Sequence, residues 1–75
     1  MSSMRTQNLV FPKKLAELRK EKGVSQIKAA TDLGVDPSTV AKYETGDRLP
    51  DLVMLIKIAD YFDVSTDYLL GRKEY

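Results

Sequence analysis

The chain has 75 residues, 43% of them hydrophobic, with 12 Lys and Arg against 11 Asp and Glu and a formal net charge of +1. It contains no Cys, His or Trp. That length allows one small domain, and without thiols or imidazoles most transition-metal sites, disulfides and general-base arrangements have nothing to build on. An enzyme is therefore not expected, and neither is a cofactor, a metal or a small-molecule substrate. No apolar run approaches the roughly 20 residues of a membrane span, and no signal-peptide pattern opens the chain. The absence of Cys fits a reducing cytoplasm.

Residues 1–10, MSSMRTQNLV, show no periodicity and are expected to form a flexible arm. Pro12 suits the first position of a helix. Leu15 and Leu18, preceded by Phe11, give that helix an inward stripe, and Gly23 ends it. Ser25 caps a second helix running to Leu33, with Gly34 just past its end. The third helix lies within GVDPSTVAKYETG: Asp36 caps it, Pro37 opens it, Val40 and Tyr43 face inward, and Gly46 stops it. After DRLP, Asp51 caps a fourth helix through Phe62. Ser65 caps a short fifth, stopped by Gly71. Nothing alternates well enough for a sheet. The expected fold is all-α, five helices in one domain over residues 11–71, with a tail at 72–75.

Charge is unevenly spread. Through Arg48 there are nine basic and six acidic residues, and from Leu49 onward three basic and five acidic. The basic part contains the third helix, which suggests an anionic partner on that side. Lys13, Lys14, Lys20 and Lys22 read as a solvated face of the first helix.

The junction of helices two and three is the most informative stretch. Counted from Gln26 as the first position, Ala30 is fifth, Gly34 ninth and Val40 fifteenth. A steep helix crossing needs a small residue at closest approach, which Ala30 supplies. The short turn needs a left-handed residue, which Gly34 supplies. Val40 packs into the angle. This is the pattern of a helix-turn-helix, whose second helix lies in the DNA major groove. Spacing by itself leaves an ordinary helical hairpin open as well.

The wider sequence narrows the choice. LAELRKEKGVSQ, LGVDPSTVAKYETG and LPDLVMLIKIADYFDVSTDYLLG resemble the lambda-repressor-like, XRE-type helix-turn-helix proteins of bacteria and phages, over Phe11 to Gly71. The resemblance implies that Pro37, Ser38, Thr39 and Lys42 face base edges. It implies that Gln26 binds phosphate and braces the recognition helix, and that Thr45 and Arg48 contact phosphate. It also implies a structural salt bridge between Arg19 and Glu44. The chain departs from the family pattern at Ile27, Lys28 and Ala29, where relatives commonly carry two acids and a leucine. The recognition helix also lacks an outward Arg, Gln or Asn, the side chains that make bidentate base contacts. Sequence reading would then rest partly on apolar contacts, water and DNA shape.

Helix four is apolar nearly all round. Leu55, Ile58, Ala59 and Phe62 suffice for the core, which leaves Val53, Met54 and Ile56. With Thr66, Tyr68 and Leu69 of helix five they form the expected homodimer surface, in the region where related repressors pair. The expected function is a cytoplasmic, sequence-specific DNA-binding regulator, a repressor, that occupies a palindromic operator as a homodimer. The alternative is a protein-interaction module of the same fold with weak or no DNA binding.

Overall fold

A computed structural model describes residues 9–74. It contains five helices: α1 (Phe11–Lys22), α2 (Gln26–Leu33), α3 (Pro37–Thr45), α4 (Leu52–Phe62) and α5 (Thr66–Leu69). Among the described residues there is no strand. The expected arm lies, apart from Leu9 and Val10, outside the described residues.

The helix ends follow from local chemistry. Ser25, Asp36, Asp51 and Ser65 each have extended backbone and accept a first-turn N–H, at Lys28, Ser38, Met54 and Tyr68 respectively. α1 has no such side-chain cap and begins one residue earlier than Pro12 suggested, at Phe11. The first N–H groups of a helix have no intrahelical partner, so proline is tolerated at the second position as readily as at the first. α5 closes at Leu69, short of Gly71. α4 ends on a non-glycine left-handed residue, Asp63, with φ of 57°.

Every helix gives the core at least one large side chain: Phe11, Leu15 and Leu18 from α1, Tyr43 from α3, Ile58 from α4, Leu69 from α5. α2 adds Leu33, with Ala29 and Ala30 fully buried behind it. Phe11 meets Tyr43 edge to face, ring centroids 6.2 Å apart. Removing one such buried leucine to Ala costs about 2–5 kcal/mol in comparable cores. In a domain of this size that is much of the total stability.

Two turns set the frame of the candidate site. Gly34 has φ of 78°, and the turn is closed by a 2.9 Å hydrogen bond from Val35 N–H to the Ala30 carbonyl. α2 therefore stops and α3 starts within three residues, and Ala30 is fully buried. At the far side the start of α1 meets the end of α5. A Cβ on Gly71 would come within 2.6 Å of Val10 Cγ2, so this close approach requires glycine.

Candidate nucleic-acid interface

α3 is held from below by its own sequence spacing. Val40 and Tyr43, three apart, are buried, and at about 100° per residue they share one face. On the opposite arc Ser38, Lys42 and Thr45 are exposed, with Ala41 half-buried beside them, and Pro37 is exposed at the helix start. These small residues leave the Lys42 ammonium as the most projecting group of the face.

Thr39 departs from the expected base-facing set. It is 9% exposed, because two residues beyond Pro37 the helix has turned about 200°, onto the flank of Tyr43. It serves packing.

Asp36 stands at the mouth of this face. Its Oδ2 accepts the Ser38 hydroxyl at 2.5 Å and the Ser38 N–H at 3.0 Å. These bonds, the hydroxyl one foremost, hold its carboxyl below the usual carboxylate range, against a smaller opposing effect of burial. The acid's charge is thus committed to the helix start.

At the other end of α3, Thr45 Oγ1 donates to the Lys42 carbonyl at 3.1 Å and accepts the Asp47 N–H at 3.4 Å. The Arg48 N–H donates to the same Lys42 carbonyl at 3.3 Å. This wraps the loop back under the helix, with Arg48 exposed beside it.

The anchoring network lies between α1, α2 and α3. Arg19 Nε donates to Glu44 Oε2 at 2.6 Å and Arg19 Nη2 to Oε1 at 3.1 Å, while Nη1 donates to the Val24 carbonyl at 3.0 Å. Gln26 Nε2 donates to Glu44 Oε1 at 3.1 Å. The Arg19 and Glu44 side chains are 13% and 9% exposed, so the pair is mostly shielded from water. Burial pushes the Glu44 carboxyl up, but the hydrogen bonds from Arg19 and Gln26 outweigh it and the net shift is down. Arg19 is shifted up, chiefly by its bond to Glu44 and against burial. Gln26 thus braces α3 through Glu44 while its backbone opens α2.

The residues expected to form a pairing surface differ in exposure. Val53 and Ile56 are 68% and 53% exposed, as that reading requires. Leu69 is fully buried and belongs to the core of its own chain. Met54 and Tyr68 are half-buried against that core, and Thr66 is half-buried too. Leu52, which the sequence reading passed over, is the most exposed large apolar residue of α4 at 77%. Its signal was available: Leu52, Val53 and Ile56 fall within about 100° of one another on a helical wheel. Two lysines expected to be merely solvated cover rings instead, Lys14 at 4.3 Å from the Tyr68 centroid and Lys22 at 4.9 Å from that of Tyr61.

No helix is long and apolar enough to cross a membrane, among the described residues. Comparison with known proteins agrees with the geometry. A helix-turn-helix family profile matches residues 15–69. The chain is 48% identical over 61 residues to the HTH-type transcriptional regulator AnsR of Bacillus subtilis, a match covering 81% of this chain and 53% of the relative. It is 39% identical over 59 residues to the cryptic phage CTXphi transcriptional repressor RstR of Vibrio cholerae, covering 79% and 53%. Among solved structures, the restriction-modification controller protein C.AhdI of Aeromonas hydrophila superposes with a TM-score of 0.74 at 38% identity, covering 81% of this chain and 92% of that one. The chain spans about half the length of the two curated relatives. The chain therefore belongs to the lambda-repressor-like, XRE-type helix-turn-helix family of transcriptional regulators.

Proposed function

We propose that the chain is a sequence-specific DNA-binding repressor that acts in the cytoplasm by occupying a palindromic operator as a homodimer. The observation that carries this reading is the construction of α3. Its inner face is anchored by Val40, Tyr43 and the Arg19–Glu44–Gln26 network, while Ser38 and Lys42 project from the other side and Pro37 is exposed at its start. In this reading α3 enters the major groove with those three residues toward base edges. Gln26, Thr45 and Arg48 flank it and hold phosphates, and Asp36 is tolerated near the backbone because its charge faces helix N–H groups. The small side chains permit close approach. Discrimination then comes from Lys42, from apolar contact with thymine methyl groups and from DNA shape.

The homodimer is supported by the apolar stripe of Leu52, Val53 and Ile56, which the chain's own core does not use. A twofold dimer would place two recognition helices on half-sites about one helical turn apart. Repression is supported by the name of the phage relative. The test is selection of bound sequences from a random DNA pool, followed by binding at several salt concentrations. A symmetric enriched site and a steep fall of affinity with salt are expected. Failure to enrich any sequence would overturn the reading in favour of a protein-interaction module.

A further inference from the structure

The carboxyl end of α2 is tied both by the turn and by α4. The last carbonyls of a helix lack intrahelical partners. The Ala30 and Thr31 carbonyls are taken by Val35 and Gly34 in the turn. The Leu33 carbonyl instead accepts the ammonium of Lys57, with Nζ at 2.9 Å. A cation there also opposes the negative end of the helix dipole. One turn further along α4, the Tyr61 hydroxyl donates to Asp32 Oδ2 at 2.6 Å. Asp32 is paired on its other oxygen with Lys28 at 3.1 Å. Its carboxyl is held below the usual range, first by the Tyr61 hydroxyl and then by Lys28. Burial and the facing Asp32 push Tyr61 ionisation up to about 12, so the hydroxyl remains a donor throughout the neutral range. Lys22 of α1 lies over the ring of the same tyrosine.

Lys57 and Tyr61 are four residues apart and share a stripe of α4. Leu52, Val53 and Ile56 form the neighbouring outward stripe of the same helix. Apolar packing between α2 and α4 is non-directional, whereas hydrogen bonds fix direction. We propose that Lys57 and Tyr61 are positioning residues that set the angle of the helix-turn-helix on α4, and so the separation of the two recognition helices when two copies pair through the outer face of α4. The inference rests on the dimeric DNA-binding reading above. It adds that half-site spacing is dictated by polar contacts remote from DNA.

The test compares the wild-type chain with Lys57→Met, Tyr61→Phe and the double variant, each of which keeps side-chain bulk while removing the donor. Binding is measured by anisotropy on the selected operator, on duplexes whose half-sites are moved together or apart by single base pairs, and on an isolated half-site. The wild type is expected to prefer one spacing. The double variant is expected to bind the isolated half-site within about twofold of wild type. It should lose about tenfold on the preferred spacing and bind the altered spacings nearly as well. Lys57→Arg, which restores a donor and a charge, should recover the spacing preference of Lys57→Met. A double variant with lowered thermal stability but an unchanged spacing profile overturns the inference and leaves the dimeric reading intact. A wild type with no preference for paired over single half-sites overturns that dimeric reading, and the inference with it.

Discussion

Arg19 and Glu44, 25 residues apart in sequence, meet through two hydrogen bonds, from Nε to Oε2 at 2.6 Å and from Nη2 to Oε1 at 3.1 Å. The pair crosses from α1 to α3, and Gln26 joins it from α2. Glu44→Ala strands a mostly buried guanidinium and leaves Gln26 without its acceptor. A loss of about 2–4 kcal/mol is expected in urea unfolding. A double-mutant cycle with Arg19→Ala should return a coupling of about 1–3 kcal/mol. Additivity of the two substitutions would mean the pair has no energetic link in solution.

Acid should loosen the same joint. The Glu44 carboxyl titrates lower in the folded chain than its ordinary value, which for an unfolded glutamate is about 4.3. The stability it lends is fully present above that ordinary value and is lost as pH falls through the lower, folded one. Asp32 and Asp36 shift in the same direction and act in the same window. Thermal midpoints should hold from neutral pH to about 5 and drop below about 4. Glu44→Gln should be less stable than wild type at neutral pH and lose less on acidification. Parallel profiles for the two proteins would remove Glu44 from the explanation.

Lys42 and Arg48 separate two ways of touching DNA. Lys42→Ala and Arg48→Ala should both weaken operator binding. If a side chain neutralises one phosphate, the slope of log affinity against log salt falls by about one unit and all sequences weaken alike. If Lys42 reads a base, its loss flattens preference at one operator position by about 1–3 kcal/mol. An Arg48→Ala protein with unchanged slope would take Arg48 off the phosphate contacts.

The outer face of α4 can be tested without disturbing the core. Leu52 and Val53 are mostly exposed, so Leu52→Glu and Val53→Glu should change folding stability by less than about 0.5 kcal/mol. They should convert a dimer to a monomer in sedimentation equilibrium. A wild type that sediments as a monomer at high concentration would dismiss this face as a pairing surface.

Gly34→Ala isolates backbone conformation from packing. The nearest atom to the added methyl is Lys57 Nζ at 3.8 Å, an ordinary contact, while φ stays at 78°. The expected cost is about 1 kcal/mol in chemical denaturation, from the left-handed backbone. A much larger loss would show that the turn cannot keep its geometry.

Helix ends and the core stripe were legible in the sequence because their signals are local. Ser25, Asp36, Asp51 and Ser65 cap where their residue types suggest, and Phe11, Leu15, Leu18, Val40 and Tyr43 are buried as their spacing requires. The Arg19–Glu44 bridge was legible through family resemblance, since no periodicity links positions so far apart. Contacts that depend on how helices cross were not legible. Lys57 finds the Leu33 carbonyl and Tyr61 finds Asp32 only once α4 lies across the end of α2. The burial of Thr39 and Leu69 likewise depends on how their helices pack, which spacing alone does not give.

Val10 lying on Gly71, with Leu69 buried beside them in the core, has a consequence for the order of events during synthesis. α2, the turn and α3 emerge from the ribosome well before α5. Until residues 69–71 follow, the core lacks one of its largest fully buried side chains, and Val10 lacks the Gly71 surface it lies on. A nascent chain stalled just after α4 therefore carries the whole recognition unit on an unfinished domain. The anchors of α3 on α1 and α2 are already present at that point, whereas the completed core waits for α5.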